Sequence, residues 1–331
     1  VYAELHALSN FSFLRGASQP EELVAQAKAL GYGALALTDE CSLAGVVRAH
    51  VAAKEHGLPL IIGAELNCLD DLKVVVLATD RASYGAMSRL ISKARRATRK
   101  GCYALGRADL EDALAGCLLI WLPRMDKAGL QQQEQDGRWL RERFAGRLWI
   151  GVELLTGGHD ARRLEWLEAL GKTLQLPCVA TGDVHMHRRS RRALQDVLTA
   201  IRIGKPLQAA GYALYPNGER CLRPLQRLQE LYPQPLLAQT LSIAERCRFK
   251  LDELRYEYPE EIVPAGETPT SHLRALTLRG CAYRWPDGAP AAVRENIEHE
   301  LRLIAELKFE PFFLTVHDVV EYARSQKILC Q

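Results

Sequence analysis

Four apolar runs in this chain each end in side chains able to bind a metal, and that recurrence limits the folds open to it. The runs at 2–5, 34–37, 60–62 and 178–180 lead into His6, into Asp39 with Glu40, into Glu65, and into Asp183 with His185. Imidazoles and carboxylates delivered together at the carboxyl ends of successive strands are what a metal-dependent hydrolytic site in a barrel of strands and helices requires. The pattern therefore predicts such a site or the remains of one. In the triplet Asp183-Val184-His185 the acid and the imidazole face the same way, because extended side chains repeat every two residues. His187 has the same parity but stands beside Arg188 and Arg189, and is expected at the surface. His50, His56, His159, His272 and His299 have no comparable carboxylate partner and read as structural or exposed.

Between these runs the periodicity switches regularly. Ser18, Pro20, Glu21 and Glu22 predict a helix start with a capping hydroxyl, a first-turn proline and acids at the positive dipole end, and Gly31 a helix stop. Helical patterns follow at 43–55, 81–97, 128–145 and 160–174, and further strands at 72–78, 117–122 and 148–154. Seven strands alternating with six or seven helices predict an α/β chain whose parallel sheet closes into a barrel. After about residue 207 the pattern changes. Residues 214–235 are rich in turn formers, and helices are predicted at 236–248, 271–285, 291–308 and 316–325, with Pro259, Pro264, Gly266 and Pro269 marking an extended connection. The boundary is set at 215, with residues 1–215 as the barrel domain and 216–331 as a connecting segment and a mostly helical region.

With 331 residues, 48% of them hydrophobic, the chain can bury a full core. It has no apolar stretch of membrane-spanning length and no leader-like start, so a soluble, cytoplasmic protein without a membrane partner is expected. The nine cysteines contain no C-x-x-C pair and read as reduced core residues. The net charge of +3 conceals segregation: residues 81–107 carry eight Lys or Arg and no acid, and residues 188–205 carry six against Asp196 alone. Clustered cations fit a polyanion through counterion release. That makes Arg89, Lys93, Arg95, Arg96, Arg99, Lys100, Arg188, Arg189, Arg191 and Arg192 candidates for contact with DNA. Helix faces neutralised by acids in three dimensions are the alternative.

The run Ala3-Glu4-Leu5-His6-Ala7-Leu8-Ser9-Asn10-Phe11-Ser12 resembles the opening strand of the polymerase and histidinol phosphatase (PHP) domain that begins bacterial C-family DNA polymerases. Leu37-Thr38-Asp39-Glu40, Gly63-Ala64-Glu65 and Ala180-Thr181-Gly182-Asp183-Val184-His185 are similar to later motifs of that domain. Leu194-Gln195-Asp196-Val197 and Ile243-Ala244-Glu245-Arg246-Cys247 continue the match. The stretch from Phe309-Glu310-Pro311-Phe312 to Ile328-Leu329-Cys330-Gln331 resembles the approach to the palm segment. The likeness is greatest to the error-prone, damage-inducible branch of the family. It implies a distorted seven-stranded barrel of the PHP type, followed by a helical region that starts the palm and thumb. It also implies DNA, a sliding clamp and other members of a damage-inducible mutagenesis complex as partners of the complete polymerase. The aspartates that hold Mg2+ in the palm would lie beyond residue 331, so this chain alone is expected to be monomeric and to have no polymerase activity or catalytic residues.

Carried over position by position, His6, Glu65, Asp183 and His185 fit the family's metal motif, with Asp39 beside them. Leu8 stands where the second His of a His-x-His pair is expected, Arg15 where the next ligand is expected, and Glu40 in place of the His after Thr-Asp. The later His and Cys ligands have no placed counterpart, and Cys117 falls inside a strand. Leucine offers no lone pair and a guanidinium stays protonated, so a multinuclear cluster is not expected. Arg15 is expected to pair with Glu40, Glu65 or Asp183 and hold the barrel mouth by charge complementarity. The PHP part then reads as a non-catalytic scaffold with a degraded metal site. The alternative is a single metal retained with Glu40 as substitute ligand, in an active phosphoesterase or 3′–5′ exonuclease.

Overall fold

The computed structural model of the chain describes residues 1–124, 129–254 and 263–330. Strands β1 (Ala3–Ala7), β2 (Ala34–Leu37), β3 (Leu60–Asn67), β4 (Lys73–Leu77), β5 (Leu118–Trp121), β6 (Leu148–Val152) and β7 (Cys178–Ala180) form one curled sheet in chain order. All seven were legible as apolar runs, but the sheet is not wholly parallel. β4 runs antiparallel to both β3 and β5. Only residues 68–72 join β3 to β4, and a parallel crossover needs a dozen or more residues. The link closes as a turn, with the Cys68 amide donating to the Leu72 carbonyl at 2.8 Å.

Helices α1 (Pro20–Ala29), α2 (Val46–His56), α3 (Arg81–Arg96), α4 (Arg107–Ala113), α5 (Gly129–Arg143) and α6 (Asp160–Leu174) occupy the connections. Apolar residues on one side of the sheet, among them Leu35, Ile62, Val76, Leu119 and Ile150, pack with Leu23, Val46, Met87 and Leu167 of the helices. Alternate residues Ala3, Leu5, Ala36, Ile61, Val75, Ile120, Trp149 and Val179 form a separate inner cluster. The α1 start differs in detail from expectation: Gln19 is the N-cap, and the Ser18 hydroxyl instead bonds His187 Nδ1 at 2.8 Å. His187 is therefore buried rather than exposed.

After β7 come α7 (Arg192–Ile203), α8 (Leu225–Leu231) and α9 (Gln234–Arg246). The first and last strands meet at their carboxyl ends, where the Leu8 amide donates to Val184 O and the Val184 amide to His6 O, at 2.8 and 3.0 Å. Lower down, α9 lies against both β1 and β7, adds Ile243 to the inner cluster, and offers Thr240 Oγ1 to the Ala3 amide at 3.2 Å. Residues 216–254 thus complete the barrel, and the compact unit runs to Leu254 rather than ending at 215.

The second unit, from residue 255 on, contains α10 (Pro269–Arg284), α11 (Ala291–Leu307) and α12 (Glu310–Ser325). Leu273, Leu301 and Leu314 form its small core. The α12 helix starts six residues before the expected Val316, because Pro311 occupies a first-turn position where its missing N–H costs nothing. The expected extended mark at Pro259 lies outside the described residues.

Candidate functional site

The site forms where β1, β3, β6 and the segment after β7 end together. The register between β1 and β2 slips between Glu4 and Ala7, so His6 joins Leu5's inner face instead of alternating away from it. His6 Nε2 lies 2.9 Å from Glu65 Oε2 and 3.8 Å from Asp183 Oδ1, while Nδ1 lies 3.3 Å from Glu153 Oε1. His185 Nε2 is 3.0 Å from Asp183 Oδ1. The ligand atoms of His6, Glu153 and Asp183 all fall within 4.8 Å of one another. That donor set would suit a single divalent cation.

Positive side chains already engage the same carboxylates. Arg15 Nη1 lies 2.5 Å from Glu40 Oε2 and 2.6 Å from Glu65 Oε1. Lys73 Nζ is 2.9 Å from Glu65 Oε2, and the Arg220 guanidinium contacts Asp183 and stacks on Tyr215 with 4.2 Å to the ring centre. Asn67 Nδ2 donates to Glu40 and Glu65 at 3.1 and 3.0 Å, and the Tyr103 hydroxyl donates to Glu40 at 3.0 Å. With Arg163 Nη2 3.8 Å from Glu153 Oε2, four cations face four carboxylates and leave the pocket close to neutral. A metal cluster would have to displace guanidinium groups that never deprotonate, so the residues present do not fit a multinuclear centre. One ion at His6, Glu153 and Asp183 would require Arg220 to move.

The electrostatics follow from the same neighbours. Burial alone would raise the Glu65 carboxyl, but Lys73, Arg15 and the His6 hydrogen bond hold it well below the usual range. Glu153 is likewise brought down to about 2 against its burial, by the His6 hydrogen bond and the charge of Lys73. Glu40 is lowered by Arg15 against its own burial. Burial first, and then the Arg15 charge, push His185 well below the usual imidazole range. Its Nδ1 is buried without a hydrogen-bond partner among the described residues.

Of the residues singled out in the sequence, the fold brings together His6, Glu40, Glu65, Asp183, His185 and Arg15. It separates Asp39, whose carboxylate accepts from the Ser9 amide and from the Ser9 and Ser12 hydroxyls at 2.7–2.8 Å. Asp39 is thus a buried brace for the loop after β1 and not a member of the ligand group. Leu8 is fully buried. Glu153, Lys73 and Arg220 were missed. Glu153 had a signal, as an acid just past the β6 apolar run, whereas nothing in the sequence distinguished Lys73 or Arg220 from surface cations.

The basic windows also separate. Arg95 turns inward, donating to the Glu40 and Cys41 carbonyls at 3.0 and 3.1 Å. Arg189 pairs with Glu219, Arg191 with Glu22, and Arg192 with Asp196. Lys93 bonds Asp109 at 2.6 Å. These five are internal or neutralised, while Arg89, Arg96, Arg99, Lys100 and Arg188 are exposed.

The curled seven-stranded sheet carries this set of strand-end acids and imidazoles, and residues 4–145 match the family model described as the PHP domain. Residues 271–331 match the model described as the bacterial DNA polymerase III alpha NTPase domain. The whole chain is 61% identical over 335 residues to an error-prone DNA polymerase of Dechloromonas aromatica (strain RCB), and 59% identical over 332 residues to one of Methylococcus capsulatus (strain Bath). The chain is thus similar over its whole length to error-prone DNA polymerases and carries a PHP-domain match in its first half. It covers 32% and 31% of those two proteins, so it spans about a third of the length of the curated relatives it matches. Among solved structures, an amidohydrolase from Chromobacterium violaceum is 18% identical with a TM-score of 0.44, over 56% of this chain and 88% of that one.

Proposed function

We propose that the chain is the N-terminal part of an error-prone, damage-inducible translesion DNA polymerase, in which the PHP barrel is a non-catalytic scaffold. The observation that carries this reading is Arg15 lodged between Glu40 and Glu65, in a chain aligned along its full length with error-prone polymerases. Nucleotidyl transfer needs acids holding two Mg2+ ions for in-line attack, and in this reading they belong to the remainder of the polymerase. DNA is its substrate, the sliding clamp and mutagenesis-complex proteins are its partners, and the cytoplasm is its compartment. None of the described helices is long and apolar enough to cross a membrane.

Two measurements test the reading. The full-length polymerase should extend a primer across a damaged template, and the barrel should bind substoichiometric metal after dialysis. Primer extension unchanged by Arg15→Ala at permissive temperature supports the scaffold role. The juxtaposition of His6, Glu153 and Asp183 favours a second reading, a metal-dependent phosphoesterase or 3′–5′ exonuclease. A full equivalent of bound metal, together with phosphatase or exonuclease activity abolished by His185→Ala, would establish it.

A further inference from the structure

In the first basic window Arg89, Arg96, Arg99 and Lys100 are exposed and have no carboxylate partner among the described residues, whereas in the second Arg189, Arg191 and Arg192 are paired and Arg188, Arg202 and Lys205 are exposed. Arg89 and Arg96 lie on α3 seven residues apart, two helical turns, and so share one face about 10 Å long. Arg99 and Lys100 follow in the turn just after the helix, and all four side chains are exposed. On the packed neighbour α4, Asp109 is already occupied by Lys93 at 2.6 Å and the Gly106 amide at 2.8 Å. The turn is also held in place. Arg95 anchors it inward on the Glu40 and Cys41 carbonyls and stacks on Tyr103 at 5.1 Å, and Tyr103 in turn donates to Glu40. The cations that follow are therefore displayed beside the barrel mouth by a fixed support.

We infer that the face formed by Arg89, Arg96, Arg99 and Lys100 is a DNA phosphate-binding surface, and that the paired Arg189, Arg191 and Arg192 are not part of it. This deepens the polymerase reading and rests on it for the choice of DNA over another polyanion. Three of the four cations are arginines, whose planar fork matches phosphate oxygens two at a time. The contacts carry no base readout, so they would position the nucleic acid irrespective of sequence.

The experiment uses the 331-residue chain and fluorescein-labelled 20-mer DNA, duplex and single-stranded, in anisotropy titrations between 50 and 200 mM KCl. Each phosphate contact contributes roughly 0.9 to the slope of log affinity against log salt for duplex and about 0.7 for single strands. The triple substitution R96A/R99A/K100A should flatten the slope by about 2 to 3 and weaken binding at low salt by at least about tenfold. R96K/R99K should keep most of the slope, and R189A/R191A/R192A should leave it unchanged. DNA should also slow alkylation of the exposed Cys102, which lies two residues after Lys100. Matched circular dichroism spectra would show that the variants are folded. An unchanged slope in the triple variant, no DNA binding at 50 mM salt, or equal affinity for poly-glutamate would overturn the assignment, the last in favour of an acidic protein partner. Primer extension by the full-length protein tests the polymerase reading separately, so the surface can fail while that reading stands.

Discussion

Arg15 grips Glu65 with both terminal nitrogens, Nη1 at 2.6 Å from Oε1 and Nη2 at 3.4 Å from Oε2, so the guanidinium and the carboxylate meet fork to fork. Glu65 is fully buried and lies within β3, while Arg15 is carried by the loop after β1. The pair therefore ties that loop to the sheet, and Glu40 on the same guanidinium adds the end of β2.

Removing Arg15 leaves a buried carboxylate short of charge. Arg15→Ala should lower the unfolding free energy by about 3 kcal/mol, the range found when one partner of a buried pair is deleted. Arg15→Lys should recover part of it, since one ammonium cannot reach Glu40 and both oxygens of Glu65. Urea midpoints of the three proteins check this.

If Arg15 and Arg220 stand in for a divalent cation, deleting them should let one bind. Mn2+ or Zn2+ should raise the melting temperature of the Arg15→Ala/Arg220→Ala double variant and leave the parent unchanged. Equal shifts in both proteins would mean that the cations do not occupy the metal position.

The acid limb of the stability curve should report the carboxylates at the mouth. Glu65, Glu40 and Glu153 sit below their ordinary value of 4.5, Glu153 at about 2. A lowered folded pKa adds stability that is present above the unfolded value and lost as pH falls through the folded one. Unfolding free energy should therefore drop between about pH 4.5 and pH 2, and Glu153→Gln should drop less steeply there. Glu4 and Asp39, raised by burial, act with the opposite sign, their contribution declining as pH rises through the carboxylate range.

Glu4 is a structural residue whose loss should be severe. It is buried at the seam between β1 and β7 and accepts from the His6 and Gly182 amides at 3.0 and 2.9 Å and from the Tyr2 hydroxyl at 3.0 Å. Glu4→Ala would leave several buried donors without partners, at about 1–3 kcal/mol each, and should prevent recovery of folded protein at 37 °C. Glu4→Gln keeps an accepting oxygen and should remain soluble with a lowered urea midpoint.

Gly16 sits where a side chain has no room, since an added Cβ would fall on the Ser9 carbonyl. Gly16→Ala should cost about 1–3 kcal/mol by overpacking. It should also displace the neighbouring Arg15, so its effect should be smaller in an Arg15→Ala background, which a double-mutant cycle in urea measures.

Some of this protein is written in local order along the chain. Short continuous apolar runs and the helical patterns between them set the seven strands and most helices, because a strand covered on both faces is apolar throughout whereas a helix shows one apolar stripe. The strand-end acids and imidazoles His6, Glu65, Asp183 and His185 were legible for the same reason, as were the departures at Leu8 and Arg15, which follow from side-chain chemistry alone. Contacts between distant segments were not legible. The antiparallel β4 follows from a link too short to cross over. The role of α9 depends on a seam that exists only once β1 and β7 approach. Asp39 turned away because two serine hydroxyls reached it first, while Lys73, Glu153 and Arg220 converged from three separate elements. Periodicity is local, so the sequence determined the elements and the kind of groups at their ends. Ion pairing acts through space, so only the tertiary structure decided which carboxylate met which cation and which arginines stayed exposed.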